Sequence, residues 1–205
     1  MSTTTFLLCR HGAHLLGHGK IAGRTPVPLS PEGQLQVAEL AERIGHLPIR
    51  AIYASPVLRA QESARPLAAR SGVEIQTSDA LAEVDFGDWT GKTLDELRPQ
   101  DAWKEWNAFR SGAAIPGGER MLQIQARAVG EMLRLRREHP GEVVALFSHG
   151  DVIRSAVAYW LGLPIDLFLR MEIGLASVSV VAIGDYGPWV LCVNHTGRVA
   201  MPYAH

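Results

Sequence analysis

TFLLCRHGAHLLGHGKIAGR, residues Thr5–Arg24, is the stretch that decides the fold. Phe6, Leu7 and Leu8 form a short apolar run with the pattern of a buried strand. Arg10 and His11 follow at its carboxyl end, and Gly12 lets the backbone turn sharply there. In open α/β sheets, ligands sit outside the carboxyl ends of the strands. A guanidinium supplies a rigid two-pronged donor, and an imidazole supplies a nucleophile or proton carrier near neutral pH. Side by side at a strand end, they suit an anionic tetrahedral group such as a phosphoryl.

Outward from that strand, apolar runs and helical patterns alternate. Gly12–Pro28 is a loop rich in glycine and histidine. Ser30-Pro31 opens a helix to about Gly45, a hydroxyl cap followed by proline at the first helical position. Arg50–Ser55 reads as a second buried strand, turning at Ser55-Pro56 into a helix with Arg59 at its start. Val73–Thr77 is a third strand, and Leu81-Ala82-Glu83 a short extended piece. Thr93–Gly112 reads as one amphipathic helix carrying Trp103, Trp106 and Phe109. A long helix spans about Glu119–Arg137, stopped by Pro140-Gly141. Val143–Phe147 has the continuous apolar character of a central parallel strand, with Ser148-His149-Gly150 at its carboxyl end. A helix to about Leu161 and two strands, near Ser177–Ile183 and Trp189–Val193, follow. This alternation predicts an α/β three-layer sandwich, a mostly parallel central sheet with helices on both faces. No repeat or linker interrupts it, so residues 1–205 read as a single domain.

The charge balance narrows the partners. Twenty Lys and Arg against 21 Asp and Glu leave a net charge of −1, so no global basic field argues for nucleic acid or a membrane surface. Attraction for an anion must be local. Cys9 and Cys192 each lie in an apolar segment and read as buried free thiols, with pairing across the sheet left open. The N-terminus shows no signal-peptide pattern, and no apolar run is long enough to span a bilayer. The expected setting is the cytoplasm.

Three segments then share one address. Arg10-His11-Gly12, Ser55 to Arg59 and Ser148-His149-Gly150 each follow a predicted buried strand. If those strands are neighbours, two arginines and two histidines converge at one edge of the sheet. The helices opening after Ser55 and His149 add free backbone N–H groups that favour an anion. Glu83 is the acid/base candidate. Singly, Arg59 reads equally well as a surface helix residue, His149 as a core histidine and Glu83 as a solvated carboxylate. Their common placement at strand ends favours a site.

With those residues in view, the chain resembles the histidine phosphatase superfamily, the phosphoglycerate-mutase-like branch with an R-H-G signature. The matching segments are Arg10-His11-Gly12, Gly23-Arg24, Pro28 to Gly33, Ser55-Pro56-x-x-Arg59-Ala60, Glu83-x-x-Phe86-Gly87, Pro116 to Glu119 and Ser148-His149-Gly150. The resemblance implies that His11 attacks phosphorus and becomes phosphohistidine. It implies that Arg10, Arg59 and His149 hold the phosphoryl oxygens, while Glu83 protonates the leaving oxygen and later deprotonates water. It makes Gly12, His14, Gly23, Arg24 and Gly150 further substrate-binding candidates, and it implies a helical insert or lid at about residues 90–118. Two arginines and a protonated histidine would concentrate positive charge on the phosphoryl without a metal or cofactor. The nucleophilic imidazole must be neutral, and a general acid at position 83 is expected to have a raised pKa through burial.

The chain departs from the family pattern after R-H-G. Ala13, His14 and Gly17 stand where the family commonly has Glu, Thr or Ser, and Asn. His14, His18, Lys20 and Arg24 enrich this loop in protonatable groups, either a second anion site or a solvated loop. A metal site at His11, His14 and His18 lacks a nearby carboxylate or cysteine in sequence.

The leading expectation is a phosphomonoesterase acting on a small phosphorylated molecule. The alternatives are a phosphoglycerate-type mutase and a non-catalytic phospho-ligand binding module. His149 lies only 66 positions after Glu83, a shorter interval than the resemblance implies for a mutase. Apolar residues on the two terminal strands suggest a homodimer.

Overall fold

The computed structural model describes residues 2–16 and 19–197. Six strands form one sheet: β1 (Thr4–Arg10), β2 (Ile49–Ala54), β3 (Ile75–Thr77), β4 (Val143–Ser148), β5 (Val178–Gly184) and β6 (Gly187–His195). Their spatial order is β3-β2-β4-β1-β5-β6. The first four are mutually parallel, β5 runs antiparallel to β1, and β6 antiparallel to β5. The last two strands thus form a hairpin joined through Asp185 and Tyr186, a connection too short for a parallel crossover.

Helices cover both faces. They are α1 (Pro31–Ile44), α2 (Leu58–Ser71), α3 (Leu94–Leu97), α4 (Asp101–Ala108), α5 (Met121–Glu138) and α6 (Gly150–Trp160). Alternation along β1 separates two cores. Phe6 and Leu8 face a cluster built from α5 and α6, whereas Leu7 and Cys9 face one built from α1 and α2. The three-layer α/β sandwich is therefore present. Ser30 caps α1 as predicted, its hydroxyl accepting from the Gly33 N–H at 3.1 Å, a cap of the kind that contributes about 1 kcal/mol.

Two expectations need correction. Glu83 does not end a strand: residues Asp79–Leu81 form a 3-10 turn, and Glu83 sits in the loop after it. Residues 93–112 are not one helix. Pro99 has no N–H to continue the ladder, so α3 stops at Leu97, with Arg98 its helical C-cap, and the chain restarts as α4. Trp106 is buried against Phe86 and Trp89, Trp103 is half-buried, and Phe109 is exposed. Trp103 and Trp106 pack the segment against Trp89. Cys9 is buried and Cys192 half-buried, both free. No helix among the described residues is long and apolar enough to cross a membrane.

Candidate active site

Sheet register brings the predicted residues together. Arg10 on β1 pairs with Ser148 on β4, and Ala54 on β2 pairs with Phe147, so three strand ends are level. The ladder continues one step past them: the His11 N–H donates to Ser148 O at 3.1 Å, and the Ser55 N–H to Phe147 O at 2.9 Å. His11, Ser55 and His149 follow directly from central strands and cannot drift apart.

The His11 ring has a defined orientation. Nδ1 lies 2.7 Å from Gly12 O, which only accepts, so Nδ1 carries the proton and Nε2 the lone pair. Arg59 Nε donates to that Nε2 at 3.3 Å. Burial first, then the neighbouring His149 and the charges of Arg59 and Arg10, push His11 well below its ordinary pKa, so the ring is neutral. A neutral, oriented imidazole is what a phosphorus nucleophile requires.

Arg59, almost fully buried at the start of α2, ties the site together. Nη2 donates to Gly23 O at 2.8 Å and lies 3.3 Å from Glu83 Oε2, while Nη1 donates to Thr25 O. Glu83 Oε2 also lies 3.3 Å from His149 Nδ1, a contact short of a hydrogen bond, and Oε1 accepts from the Val84 N–H. Burial alone would raise the Glu83 carboxyl, but the pull of His149, Arg59 and the Val84 N–H outweighs it and holds Glu83 ionised. The expectation of a raised pKa is thus reversed in the ligand-free site, because two cationic or N–H-bearing partners converge on one oxygen. His149 is fully buried behind Glu83, its ring 5.1 Å from that of His11, and burial pushes its pKa down. The expected protonated histidine is therefore neutral at rest.

Arg10 lies across the first turn of α6, and a Cβ at Gly150 would approach its guanidinium carbon to 3.2 Å. Nη1 donates to Ile173 O, whereas the buried Nε has no acceptor among the described residues. An unmatched cationic N–H at the floor of a cleft fits an incoming anion. That cleft, about 210 Å³, opens over Arg10, His11, Arg59 and Glu83, with Gly23 and Gly150 also on its lining.

The remaining candidates divide. His14 lines the cleft, its ring 5.7 Å from His11, and Lys20 joins it. Gly12 offers no free donor, since its N–H goes to Ser63 Oγ at 3.2 Å and its carbonyl to His11. Arg24 is absent from the lining. It donates to Glu83 O at 2.9 Å and pairs with Glu119 at 2.9 Å, so it positions the Glu83 loop. Arg127 does the same from α5, donating to Glu83 O and Glu119. These contacts give Glu119, in the Pro116 to Glu119 segment, its role. Gly17 and His18 lie outside the described residues. Sequence reasoning gave no role to Ile21, Phe86, Asp151 and Arg154, all on the lining. The three-residue spacing of Asp151 and Arg154, paired at 2.6 Å on the first turns of α6, was the available signal.

His11, Glu83 and His149 offer ligand atoms within 4.8 Å of one another. They do not fit a divalent cation well, because Arg59 already donates to His11 Nε2 and to Glu83 Oε2, and its positive charge would oppose a second one there.

Comparison with known proteins bears on this geometry. The chain is 26% identical over 181 residues to phosphoserine phosphatase 1 of Hydrogenobacter thermophilus, covering 87% of this chain and 85% of the relative. It is 30% identical over 189 residues to the probable phosphoglycerate mutase GpmB of an Enterobacter species, covering 89% and 86%. A phosphoserine phosphatase from Entamoeba histolytica, solved with phosphoserine, superposes with a TM-score of 0.85 at 25% identity over 96% of this chain and 100% of that one. Residues 6–196 match the histidine phosphatase superfamily (branch 1), and on that match the chain belongs to this superfamily.

Proposed function

We propose that the chain is a phosphomonoesterase that works through a phosphohistidine on His11. The observation that carries this is the His11 Nε2 lone pair, fixed by the Nδ1 bond to Gly12 O and surrounded by Arg10 and Arg59. The phosphoryl group enters beside Arg10 Nε and displaces Glu83 Oε2 from Arg59 and His149. Glu83 then loses the partners that keep it ionised, faces a dianion, and takes up a proton. Nε2 attacks phosphorus, the bond to the leaving oxygen breaks, and Glu83 gives that oxygen its proton. In the second half, Glu83 takes a proton from water as the oxygen attacks phosphorus, and the N–P bond breaks to release phosphate. The guanidiniums stabilise the equatorial oxygens throughout.

Relatives named for phosphoserine and phosphoglycerate support a small phosphorylated substrate. Lys20, Asp151 and Arg154 on the lining suit a leaving group that carries charge of its own. The reading also takes the chain as one domain with residues 90–118 as a lid. Lid and rim are joined by the Ile21 N–H to Lys92 O and the Leu94 N–H to Gly19 O. It places the enzyme in the cytoplasm, in keeping with two free thiols, and makes the exposed Tyr186, Trp189 and Leu191 beside the edge of β6 a homodimer surface.

Turnover of a chromogenic aryl phosphate by wild type, and its loss by about 10⁴-fold or more in His11→Ala, tests the nucleophile. An acid-labile, base-stable phosphoenzyme after quenching is the accompanying expectation. The mutase-named relative favours one second reading. Incubation with 3-phosphoglycerate decides it, since inorganic phosphate marks the esterase and an isomerised phosphoglycerate marks the mutase. Vanadate binding without turnover by wild type would instead indicate a binding module.

A further inference from the structure

Ser55 lies directly behind the site, against His149. It stands at the turn between β2 and α2 with no exposed surface. Its backbone is pinned on both sides: the N–H donates to Phe147 O, and the carbonyl accepts from Gln61 Nε2 at 2.7 Å. Its hydroxyl oxygen makes two hydrogen bonds. The Val57 N–H donates to it at 3.2 Å, and His149 Nε2 lies 2.8 Å away.

The Val57 bond occupies an acceptor position of the hydroxyl, so its own hydrogen needs an acceptor, and His149 Nε2 is the one within reach. That bond requires a lone pair on Nε2, which puts the proton of the neutral ring on Nδ1. Nδ1 is the nitrogen facing Glu83 Oε2. The opposite tautomer would turn a buried lone pair toward a carboxylate and leave the Ser55 hydrogen without a partner, both costly where water is excluded.

We infer that Ser55 is a positioning residue that fixes His149 as the Nδ1–H tautomer, keeping a donor aimed at the spot where a phosphoryl oxygen replaces the Glu83 carboxylate. The tautomer stands on geometry alone, and its consequence for turnover rests on the phosphatase reading. A serine hydroxyl suits the task because it is short, buried by the adjoining backbone, and able to accept from Val57 while donating to the ring.

Long-range ¹H–¹⁵N spectra of the histidine side chains in the full, ligand-free chain test this, with His149 assigned from the signals lost in His149→Gln. In wild type, His149 is expected to show a protonated Nδ1 and an unprotonated Nε2. In Ser55→Ala the population shifts toward Nε2–H, and Ser55→Thr, which keeps the hydroxyl, retains the wild-type pattern. With an aryl phosphate, Ser55→Ala should lose about tenfold in kcat with a smaller change in KM, and Ser55→Thr should recover most of it. A wild-type His149 protonated at Nε2, or an unchanged tautomer in Ser55→Ala, overturns the inference. The wild-type spectrum decides even if Ser55→Ala fails to fold. If wild type turns over no phosphate ester, the phosphatase reading fails while the spectrum still reports the tautomer.

Discussion

The floor of the cleft and its rim are held by different forces. On the floor, His11, Ser55 and His149 are placed by the sheet itself, through ladder bonds from level strand ends. On the rim, residues 19–24 hang from backbone bonds to residues 91–94, and side chains of like charge go different ways. Lys20 turns into the cleft, whereas Arg24 turns to Glu119 and the Glu83 carbonyl. Floor chemistry therefore follows from register, and rim chemistry from which acceptor lies nearest.

After loss of the nucleophile itself, perturbing Glu83, where floor and rim meet, should give the largest effect. Glu83→Gln is expected to lose about 10²–10⁴ in kcat on alkyl phosphates and clearly less on aryl phosphates, whose leaving oxygens need little protonation. Equal losses on both would remove Glu83 as the acid. Next comes Arg59→Ala, with a loss of about 10²–10³ in kcat/KM, measured alongside the melting temperature. A large drop in melting temperature with full activity in the folded fraction would make Arg59 a structural residue only.

The rim pair sharpens the contrast. Arg24→Ala should lower kcat about tenfold, because it loosens the Glu83 loop, with little change in KM. Lys20→Ala should leave kcat alone and raise KM about two- to fivefold for a charged substrate. Steady-state kinetics on both variants checks this, and an exchange of the two patterns would break the distinction.

The smallest effect is on stability against pH. His11 and His149 have folded pKa values below the ordinary 6.5, so below about pH 6.5 the unfolded chain binds more protons than the folded one. Their contribution is complete above that pH and declines beneath it. Glu83 acts in the same sense further down, its contribution present above the ordinary 4.5 and lost as the folded carboxyl protonates. Melting temperatures from pH 8 to 5 should begin to fall near 6.5, and less steeply in His11→Ala. A curve as steep in that variant as in wild type would assign the decline elsewhere.

What could be read from the sequence follows the same division. The apolar runs of β1, β2 and β4 place Arg10, His11 and His149 at strand ends, and Arg59 on the helix that follows one, before any coordinates, because buried parallel strands advertise themselves and ligands gather beyond them. The Ser30 cap was equally plain. The direction of the last two strands is not legible in their apolar pattern, and the two-residue connection that makes them antiparallel emerges only from the structure. Pro99 was visible, yet the aromatic spacing across it suggested one helix. The ionised state of Glu83 and the outward turn of Arg24 were out of reach. Both depend on contacts across long sequence separations, from Glu83 to His149 and from Arg24 to Glu119.

Gly12 and Gly33 show where this architecture permits variation. A methyl group on Gly33 would come within 1.9 Å of the Ala13 carbonyl oxygen, and one on Gly12 within 2.6 Å of the Gly33 carbonyl oxygen. The two segments are mated backbone to backbone like a dovetail joint. Nothing can be added on either side of the joint without prising the nucleophile's strand from α1. Along this segment the cleft lining can vary only from His14, the first side chain past the joint, with residues 10–13 left untouched.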